Sequence, residues 1–564
     1  MKKNSALVFL TVLFTFFAGH ANAQSGVWPL TVNLQDTLGI LRPVWASFGY
    51  DEPNVTYTAD GKKLLSELAA LSPAPVYVRA HNLLTTGDGT YALKWGSTGA
   101  YTLNTRGNPV YNWRIMDSIF DVYSRRSMVP IAEIGFMPKA LSTHPEPYRH
   151  HWKPGMPYQL VYTGWSYPPK DYKKWGTLVY AWVKHAVKRY GAPAVKTWRW
   201  EVWNEPNIGY WHGTPEQYFE LYDYTAQAVK QACPGAQVGG PASTGPGGKS
   251  AAAFLKAFLI HCARGKNYAT GKEGAPLDFI SFHAKGSPRI IHGHVQMNLS
   301  PELRDVQEGF RQVAASPFAH IPVFITEFDP EGCAACGMTT NPENAYRNGM
   351  MYASYTAAAF GCLYDLIRRY HINLIRATSW SFTFENQPWF DGFRSLATHG
   401  IDKPVLNVFR MFGLMGGSRV RVHNPQALPI ESILRNSVHG GTPDIRALAT
   451  ADSAGASIMV WNYYDADVPR PQTTITITIK HIPAQKILLQ HYRIDKQHSN
   501  AYTAWKQMGS PGQVSEAQYQ TLESRGHLQL LDSPRWIATP NHTASLTFTL
   551  PSQSISLLKL NYKK

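Results

Sequence analysis

The stretch "WRWEVWNEPN", residues 198–207, decides the fold class of this 564-residue chain. Its aromatic and β-branched residues favour a strand, whereas Asn204, Pro206 and Asn207 end one. Glu205 therefore stands at the carboxyl end of a strand, where backbone gives way to a loop. Proteins with parallel strands joined by helices build their sites at such positions. The stretch predicts an α/β domain with Glu205 in its site.

The same alternation of strand and helix extends outward from this stretch. Helical spacing covers residues 172–190, and Thr214, Pro215 and Gln217 form the capping pattern of another helix. The eight strand candidates are 43–48, 75–80, 129–136, 198–203, 237–240, 278–283, 323–328 and 374–382. Eight is the count of a (β/α)₈ barrel. A doubly wound sheet does not need eight repeats, and no glycine-rich phosphate loop follows the first strand. We predict a catalytic barrel over residues 43–415.

The residue pattern of the sequence changes after the barrel. Segments such as "TTITITIKHI" (473–482) and "SISLLKL" (554–560) alternate apolar and polar residues between turns. This pattern predicts an antiparallel β-sandwich over residues 416–564. "VWPLTVNL", within residues 24–42, is one more strand before the barrel and is expected to join the sandwich.

Residues 1–23 have the pattern of a secretory signal peptide. Lys2 and Lys3 precede an apolar run, and Ala21-Asn22-Ala23 has the small-x-small form of a cleavage site. A retained anchor is the alternative, although the run is short for a membrane span. We expect cleavage after Ala23 and a secreted or periplasmic protein with no membrane contact afterwards.

The chain is basic, with 54 Lys and Arg against 38 Asp and Glu and a formal net charge of +16. Nucleic acid is a poor partner because export is predicted and the basic residues are scattered rather than clustered. An acidic polymer as substrate and a merely basic surface both remain open.

The cysteines do not form the framework of the fold, because five is an odd and sparse number for this length. Cys333 and Cys336 are the one close pair. A loop disulfide is the preferred interpretation, and free thiols are the alternative.

A second carboxylate ends another strand. "HIPVFITEFDP", residues 320–330, contains Glu327 at the end of strand seven, whereas Glu205 ends strand four. Both therefore point into the mouth of one barrel. Retaining glycoside hydrolysis needs such a pair, one protonated to donate to the departing oxygen and one ionised to attack the anomeric carbon. The ionised neighbour raises the pKa of the acid. Separations of about 5–5.5 Å accompany retention, and wider ones accompany inversion. A salt-bridged strand end is the alternative for either residue alone.

These motifs resemble glycoside hydrolase family 39, which contains β-xylosidases and α-L-iduronidases. The resemblance runs through the barrel and into the sandwich. The motifs that carry it, in order, are "YVRAHNLL" (77–84), "VWNEPN" (202–207), "LDFISFHAKG" (277–286), "ITEFDP" (325–330) and "KPVLNVF" (403–409).

By that resemblance Glu205 is the general acid/base and Glu327 is the nucleophile. Asn204 would donate a hydrogen bond to the sugar hydroxyl beside the anomeric carbon, a contact that strengthens as charge develops. Arg79, at the end of strand two, would lie beneath Glu327 and help to keep it ionised.

The resemblance also implies a lined sugar pocket. His81 and His283 end strands two and six and would line it, although polar strand ends without a ligand are the alternative. The aromatic residues that would stack on sugar rings, or else belong to the core, are Trp203, Tyr210, Trp211 and Trp389.

The identity of the sugar depends on "LDFISFHAKGS", residues 277–287. The iduronidase branch has a basic residue before its Lys-Gly, and that lysine reaches the uronate carboxylate. Lys285 matches the lysine, and Ala284 stands where the other basic residue would be. Arg394, after strand eight, is the second candidate for a charge-assisted clamp. Two solvated surface charges are the alternative. Glu385 is close to the acidic residue of the iduronidase pocket, but its register is not fixed by the sequence.

We therefore expect an exported, retaining exo-glycosidase that acts on a terminal uronic acid residue of an acidic oligosaccharide. A β-D-xylosidase is the second hypothesis, and a non-catalytic carbohydrate-binding protein on the same barrel is the third. No metal or organic cofactor is implied, because two carboxylates and water suffice.

Overall fold

The computed structural model describes residues 27–562, and its first large region is a closed barrel of parallel strands. Strand eight has two segments, of which the first pairs with strand seven and the second with strand one, so the ring closes. Strands one to eight are Ser47–Tyr50, Tyr77–Ala80, Val129–Ile134, Arg199–Val202, Gln237–Ser243, Phe279–Lys285, Val323–Asp329 and Leu374–Ala377 with Ser379–Trp380.

Each barrel strand is followed by a helix. The eight helices are Ala59–Ala69, Arg114–Ser124, Tyr172–Tyr190, Pro215–Ala232, Lys249–Arg264, Leu299–Ala314, Met350–Tyr370 and Pro404–Gly413. A short helix, Ala192–Val195, precedes strand four. Their ends follow from local chemistry: Thr214 and Gln217 form the expected capping box, and the helix that begins at Tyr172 ends before Gly191, whose φ is +84°.

The loops at the barrel's mouth carry small elements of their own. They include three hairpins: Tyr101–Leu103 with Pro109–Tyr111, Arg289–Ile291 with His294–Gln296, and Ala397–Thr398 with Ile401–Asp402. Short 3₁₀ turns occupy Pro53–Tyr57, Tyr158–Val161, Gly164–Ser166 and Pro342–Asn348.

The second region is a mostly antiparallel sheet of ten strands that folds over an aliphatic core. Its members are Val27–Ile40, Ser418–His423, Asp444–Ala451, Gly455–Tyr463, Thr473–Lys480, Lys486–Ile494, Gln529–Leu530, Arg535–Ala538, Thr543–Leu550 and Ser554–Tyr562. In Thr473–Lys480 the buried residues are Ile475, Ile477 and Ile479, so the alternation read from the sequence is the alternation between core and outer face. Val27–Ile40 pairs with two strands of this sheet.

The predicted fold class, a (β/α)₈ barrel followed by a β-sandwich, is confirmed. Strand one is displaced from the predicted 43–48, because residues 43–46 make tight turns before the ladder starts at Ser47. Three helices of the sandwich region, Ile430–Asn436, Ala501–Gln507 and Glu516–Gly526, were not predicted. The last two pack on Phe390 and Ile401 and so support the last barrel loop.

Cys333 and Cys336 form a disulfide in the loop after strand seven, and the other three cysteines are buried and unpaired. Within residues 27–562 no helix is both long and apolar enough to cross a membrane. The predicted signal peptide lies outside the described residues.

Candidate active site

Strand four delivers Glu205 to the mouth through two residues in the left-handed backbone region. Trp203 has a φ of +69° and Glu205 a φ of +43°, a conformation that non-glycine residues adopt only where the surroundings enforce it. The Trp203 indole donates to the Tyr210 carbonyl at 3.0 Å, and the Glu205 amide donates to the Ala242 carbonyl at 2.9 Å. These bonds fix the direction of the Glu205 side chain, which is 14% exposed.

Glu327 faces Glu205 from strand seven and is more deeply buried, with 8% of its side chain exposed. An oxygen of each carboxylate and a ring nitrogen of His283 all lie within 4.8 Å of one another. His283 Nδ1 is hydrogen bonded to Glu205 Oε1 at 2.9 Å and lies 3.8 Å from Glu327 Oε2. Such a close approach agrees with the short separation of the two carboxylates in a retaining pair.

Three basic side chains surround Glu327 in addition to His283. Lys285 Nζ lies 2.6 Å from its Oε2, Arg79 Nη1 lies 3.2 Å from its Oε1, and His81 Nε2 lies 3.5 Å from the same atom. Burial opposes ionisation of Glu327, but Lys285, then His283, His81 and Arg79 outweigh it and hold the pKa well below its usual range. Glu327 is therefore an ionised carboxylate at neutral pH.

Arg79 organises the base of the site from inside the barrel, with none of its side chain exposed. Its guanidinium lies 2.5 Å from Glu201 and 2.9 Å from Glu133, and it donates to Asn204 Oδ1 at 3.0 Å. Because the oxygen of Asn204 accepts from Arg79, its amide nitrogen is turned away from the guanidinium.

Sequence reasoning missed the two glutamates below Arg79. Burial raises the pKa of Glu133 to about 7, even though His81 and Arg79 act in the opposite direction. Glu133 and Glu201 both lie within barrel strands, and Glu201 directly follows Trp200, which is also fully buried. A charged residue within an apolar strand was the available signal, since such a residue needs a buried partner.

His81 connects Glu327 to a second buried pair that the sequence analysis also missed. His81 Nδ1 lies 3.1 Å from Asp51, and Asp51 lies 2.6 Å from Lys94 Nζ. Burial lowers the pKa of His81, but Glu133, Asp51 and Glu327 outweigh it and raise the value to about 9. Burial raises the pKa of Asp51, but Lys94 and His81 outweigh it and hold that pKa below its usual range.

Lys285 and Arg394 lie side by side, but both are already paired with carboxylates of the protein. Lys285 Nζ lies 2.6 Å from Asp329 as well as 2.6 Å from Glu327, and 17% of its side chain is exposed. Arg394 lies 3.4 Å from Asp329 and 2.6 Å from Glu331, with none of its side chain exposed. Neither residue is a solvated surface charge. In this conformation Arg394 holds Asp329 and Glu331 rather than facing the open pocket.

The remaining candidates occupy the outer part of the site or its walls. Glu385 accepts a hydrogen bond from Thr58 at 2.5 Å and is not joined to the two central carboxylates. Trp203, Tyr210 and Trp211 are at least 95% buried in aromatic packing, and Trp389 stacks on His399. These four residues belong to the packing of the walls.

The cluster of Glu205, His283 and Glu327 is compact enough for one cation to contact all three. The same three groups also satisfy one another by hydrogen bonding and charge, so they do not require an ion. The absence of a metal and of an organic cofactor from the chemistry stays a prediction.

The model of the glycosyl hydrolases family 39 matches residues 30–528. The chain therefore belongs to glycoside hydrolase family 39, and its barrel with two facing carboxylates is that of a retaining O-glycoside hydrolase. The predicted family and enzyme class are thereby confirmed.

Sequence relatives carry two activities. The β-xylosidase of Geobacillus stearothermophilus is 29% identical over 466 residues, which cover 79% of each chain. The α-L-iduronidase of Mus musculus is 23% identical over 558 residues, which cover 91% of this chain and 78% of the relative.

Solved structures agree on the fold. The monomeric β-xylosidase from Caulobacter crescentus CB15 superposes with a TM-score of 0.72 at 21% identity, covering 95% of this chain and 100% of that one. A bacterial orthologue of human α-L-iduronidase gives a TM-score of 0.74 at 17% identity, covering 95% and 84%.

Proposed function

We propose that Glu327 is the nucleophile and Glu205 the general acid/base of a double displacement at a terminal sugar. Glu327 attacks the anomeric carbon while Glu205 gives its proton to the departing glycosidic oxygen, so that one C–O bond forms and one breaks. Glu205 then takes a proton from a water, whose oxygen displaces Glu327 from the anomeric carbon. Two inversions leave the configuration of the sugar unchanged.

The observation that carries this assignment is the unequal environment of two carboxylates whose oxygens lie within 4.8 Å. Glu327 has Lys285 and Arg79 against it and a lowered pKa, as a resting nucleophile requires. Glu205 has His283 beside it and is the more exposed of the two, as required of a group that exchanges protons with a leaving group and with water.

For the sugar, we propose a terminal uronic acid residue of the α-L-iduronide type, released from an acidic oligosaccharide. Lys285 supports this, because its ammonium lies at the nucleophile and retains partial exposure although two carboxylates already contact it. A uronate carboxylate entering the pocket would share this ammonium with Asp329. The net basic chain would attract such a substrate.

A terminal β-D-xyloside is the second candidate. Arg394 is fully buried and already paired with Asp329 and Glu331. This pairing favours a xyloside, because a neutral sugar does not need an unpaired cation in the pocket. The 29% identity to the Geobacillus stearothermophilus β-xylosidase points in the same direction.

The deciding experiment compares kcat/KM for 4-methylumbelliferyl α-L-iduronide and β-D-xyloside. Faster turnover of the iduronide supports the uronide proposal, and faster turnover of the xyloside overturns it in favour of the second candidate. NMR of the first-formed product must show retained anomeric configuration. Absence of turnover on both would overturn both sugar proposals and direct the search to other terminal glycosides.

We also propose that the protein is exported, with residues 1–23 removed. The support is the sequence of that segment, with its basic start, apolar run and Ala21-Asn22-Ala23. Amino-terminal sequencing of the protein recovered from its native host tests this: a chain that begins at Gln24 supports export, and one that retains the apolar run contradicts it.

A further inference from the structure

A second cleft opens on the catalytic face of the barrel, outside the two-carboxylate centre. Its volume is about 500 Å³, within the range of roughly 300–1,000 Å³ typical of ligand sites. Its walls come from the loops that follow strands two, three, seven and eight. We call it the mouth cleft. His150, in its wall, is hydrogen bonded to the Lys94 carbonyl at 3.0 Å, which anchors the cleft beside the Lys94–Asp51 pair.

One wall of the mouth cleft is basic. Arg149, His151 and Lys153 are exposed on the segment "RHHWKP", residues 149–154. Within residues 27–562 none of the three has a carboxylate in ion-pair contact. Arg149 is nevertheless held in place, because its guanidinium lies 5.4 Å from the centroid of the buried Trp95 ring. A cation–π contact fixes the group without neutralising its charge.

The rest of the mouth cleft suits a sugar ring. Leu93, Trp152 and Phe393 contribute apolar surface, and Thr339 and Thr340 contribute hydroxyl groups. Asp391 is the acidic residue among the lining side chains, and Thr339 donates to it at 2.6 Å. The cleft thus combines an apolar face, hydroxyl groups and two cations that have no carboxylate in ion-pair contact within the described residues.

We propose that the mouth cleft binds an anionic group, a carboxylate or a sulfate ester, on a sugar residue of the substrate chain other than the residue that is cleaved. Arg149 supplies a fork of N–H donors that matches either anion, and Lys153 adds a second charge. The proposal deepens the proposed function, on which it rests, by making acidic character outside the cleaved residue a determinant of specificity.

The test uses the full chain and the double variant Arg149→Ala/Lys153→Ala. The substrates are an iduronosyl-N-acetylgalactosamine disaccharide with and without a 4-sulfate on the second sugar, and xylotriose with and without a glucuronate branch. We expect KM for the sulfated or branched member to rise about tenfold in the variant, and KM for the counterpart that lacks the sulfate or the branch to change less than about twofold. The rise must shrink with added salt. The sulfate and carboxylate arms show which anion the cleft prefers.

A matched control removes two positive charges elsewhere. Lys480→Ala/Lys486→Ala changes two exposed lysines of the sandwich and lowers the net charge equally. An equal KM rise in this control, or equal losses on the substrates with and without the sulfate or the branch in the cleft variant, overturns the proposal.

The two proposals fail in different ways. If wild-type protein turns over neither aryl glycoside, the proposed function fails, and the cleft is then judged by calorimetric binding of the sulfated disaccharide and the branched xylotriose to wild type and variant. Equal affinities for the variant and the wild type would overturn the cleft proposal on its own.

Discussion

The ends of strands four and seven carry the same side chain in opposite surroundings. Glu327 lies among Lys285, Arg79 and His81. Glu205 has His283 at 2.9 Å and 14% of its side chain exposed. One carboxylate is thus fixed as an anion, whereas the other has a histidine partner and access to water. The difference teaches that the two proposed roles follow from neighbours contributed by other strands and not from the glutamates themselves.

The largest expected effect is that of Glu327→Ala. Without a nucleophile the covalent step is lost, and kcat should fall by at least about 10⁴-fold on aryl glycosides. Azide should restore part of the turnover and give a glycosyl azide of inverted configuration, because the small anion attacks directly. The product is identified by NMR.

The control for this variant is Glu146→Ala, which removes an exposed carboxylate from a mouth loop and should leave kcat near that of the wild type. Circular dichroism must show both variants folded. A folded Glu327→Ala protein with normal activity would contradict the nucleophile assignment.

Glu205→Ala should have a smaller and substrate-dependent effect. A nitrophenolate leaves without a proton, so its release is affected little, whereas a sugar alcohol needs the acid and should lose about 10²- to 10⁴-fold. Azide should here give a product of retained configuration, since Glu327 still forms the intermediate. Steady-state kinetics on a series of aryl glycosides of rising leaving-group pKa measures the dependence. Equal losses across the series, with an azide product of inverted configuration, would mean that Glu205 is the nucleophile and Glu327 the general acid/base.

Arg79→Met should chiefly affect stability. The guanidinium contacts Glu133 and Glu201, all three with no exposed side chain, so removing it leaves Glu201 without an ion-pair partner among the described residues and Glu133 with His81 alone. Loss of one member of a buried ion pair costs about 3–5 kcal/mol. Urea denaturation followed by tryptophan fluorescence measures the loss.

Arg199→Met is the matched control for Arg79→Met, because Arg199 lies in strand four over Tyr77 and has no carboxylate in ion-pair contact within the described chain. It should cost clearly less. Similar losses in the two variants would mean that the buried charges below the site do not depend on Arg79.

The sequence predicted the fold because apolar residues recur with a different period in the barrel and in the sandwich. The alternation of Ile475, Ile477 and Ile479 predicts a two-faced sheet, and the strand ends at Glu205 and Glu327 are marked by Pro206 and Pro330. Strand one was displaced because its start depends on turns at 43–46 that apolar composition does not reveal.

The sequence predicted the site less completely than the fold. It predicted that Arg79, His81, Asn204 and His283 lie around the two carboxylates, since each stands at or near the carboxyl end of a barrel strand. In the structure Asn204 contacts Arg79, and the other three contact Glu205 or Glu327. It did not predict Lys94, which reaches Asp51 from a loop with no periodicity. Nor did it predict that Asp329 and Glu331 neutralise Arg394, because pairing across loops depends on tertiary structure.

Lys285→Met gives the smallest and most discriminating effect. Burial raises the pKa of Glu327, and Lys285 is the foremost group that lowers it, so the variant should have a higher Glu327 pKa. The acid limb of the pH profile of kcat/KM, which follows ionisation of the free nucleophile, should then move to higher pH for every substrate.

At a pH above that limb, Glu327 is ionised in both proteins, and any remaining loss reflects contact of Lys285 with the sugar. A loss on the iduronide well beyond that on the xyloside would show that the ammonium also binds the uronate. Equal losses of kcat/KM on the two substrates would show that Lys285 acts on Glu327 and does not bind the uronate. An acid limb at the wild-type pH would show that Arg79, His81 and His283 hold Glu327 ionised without Lys285.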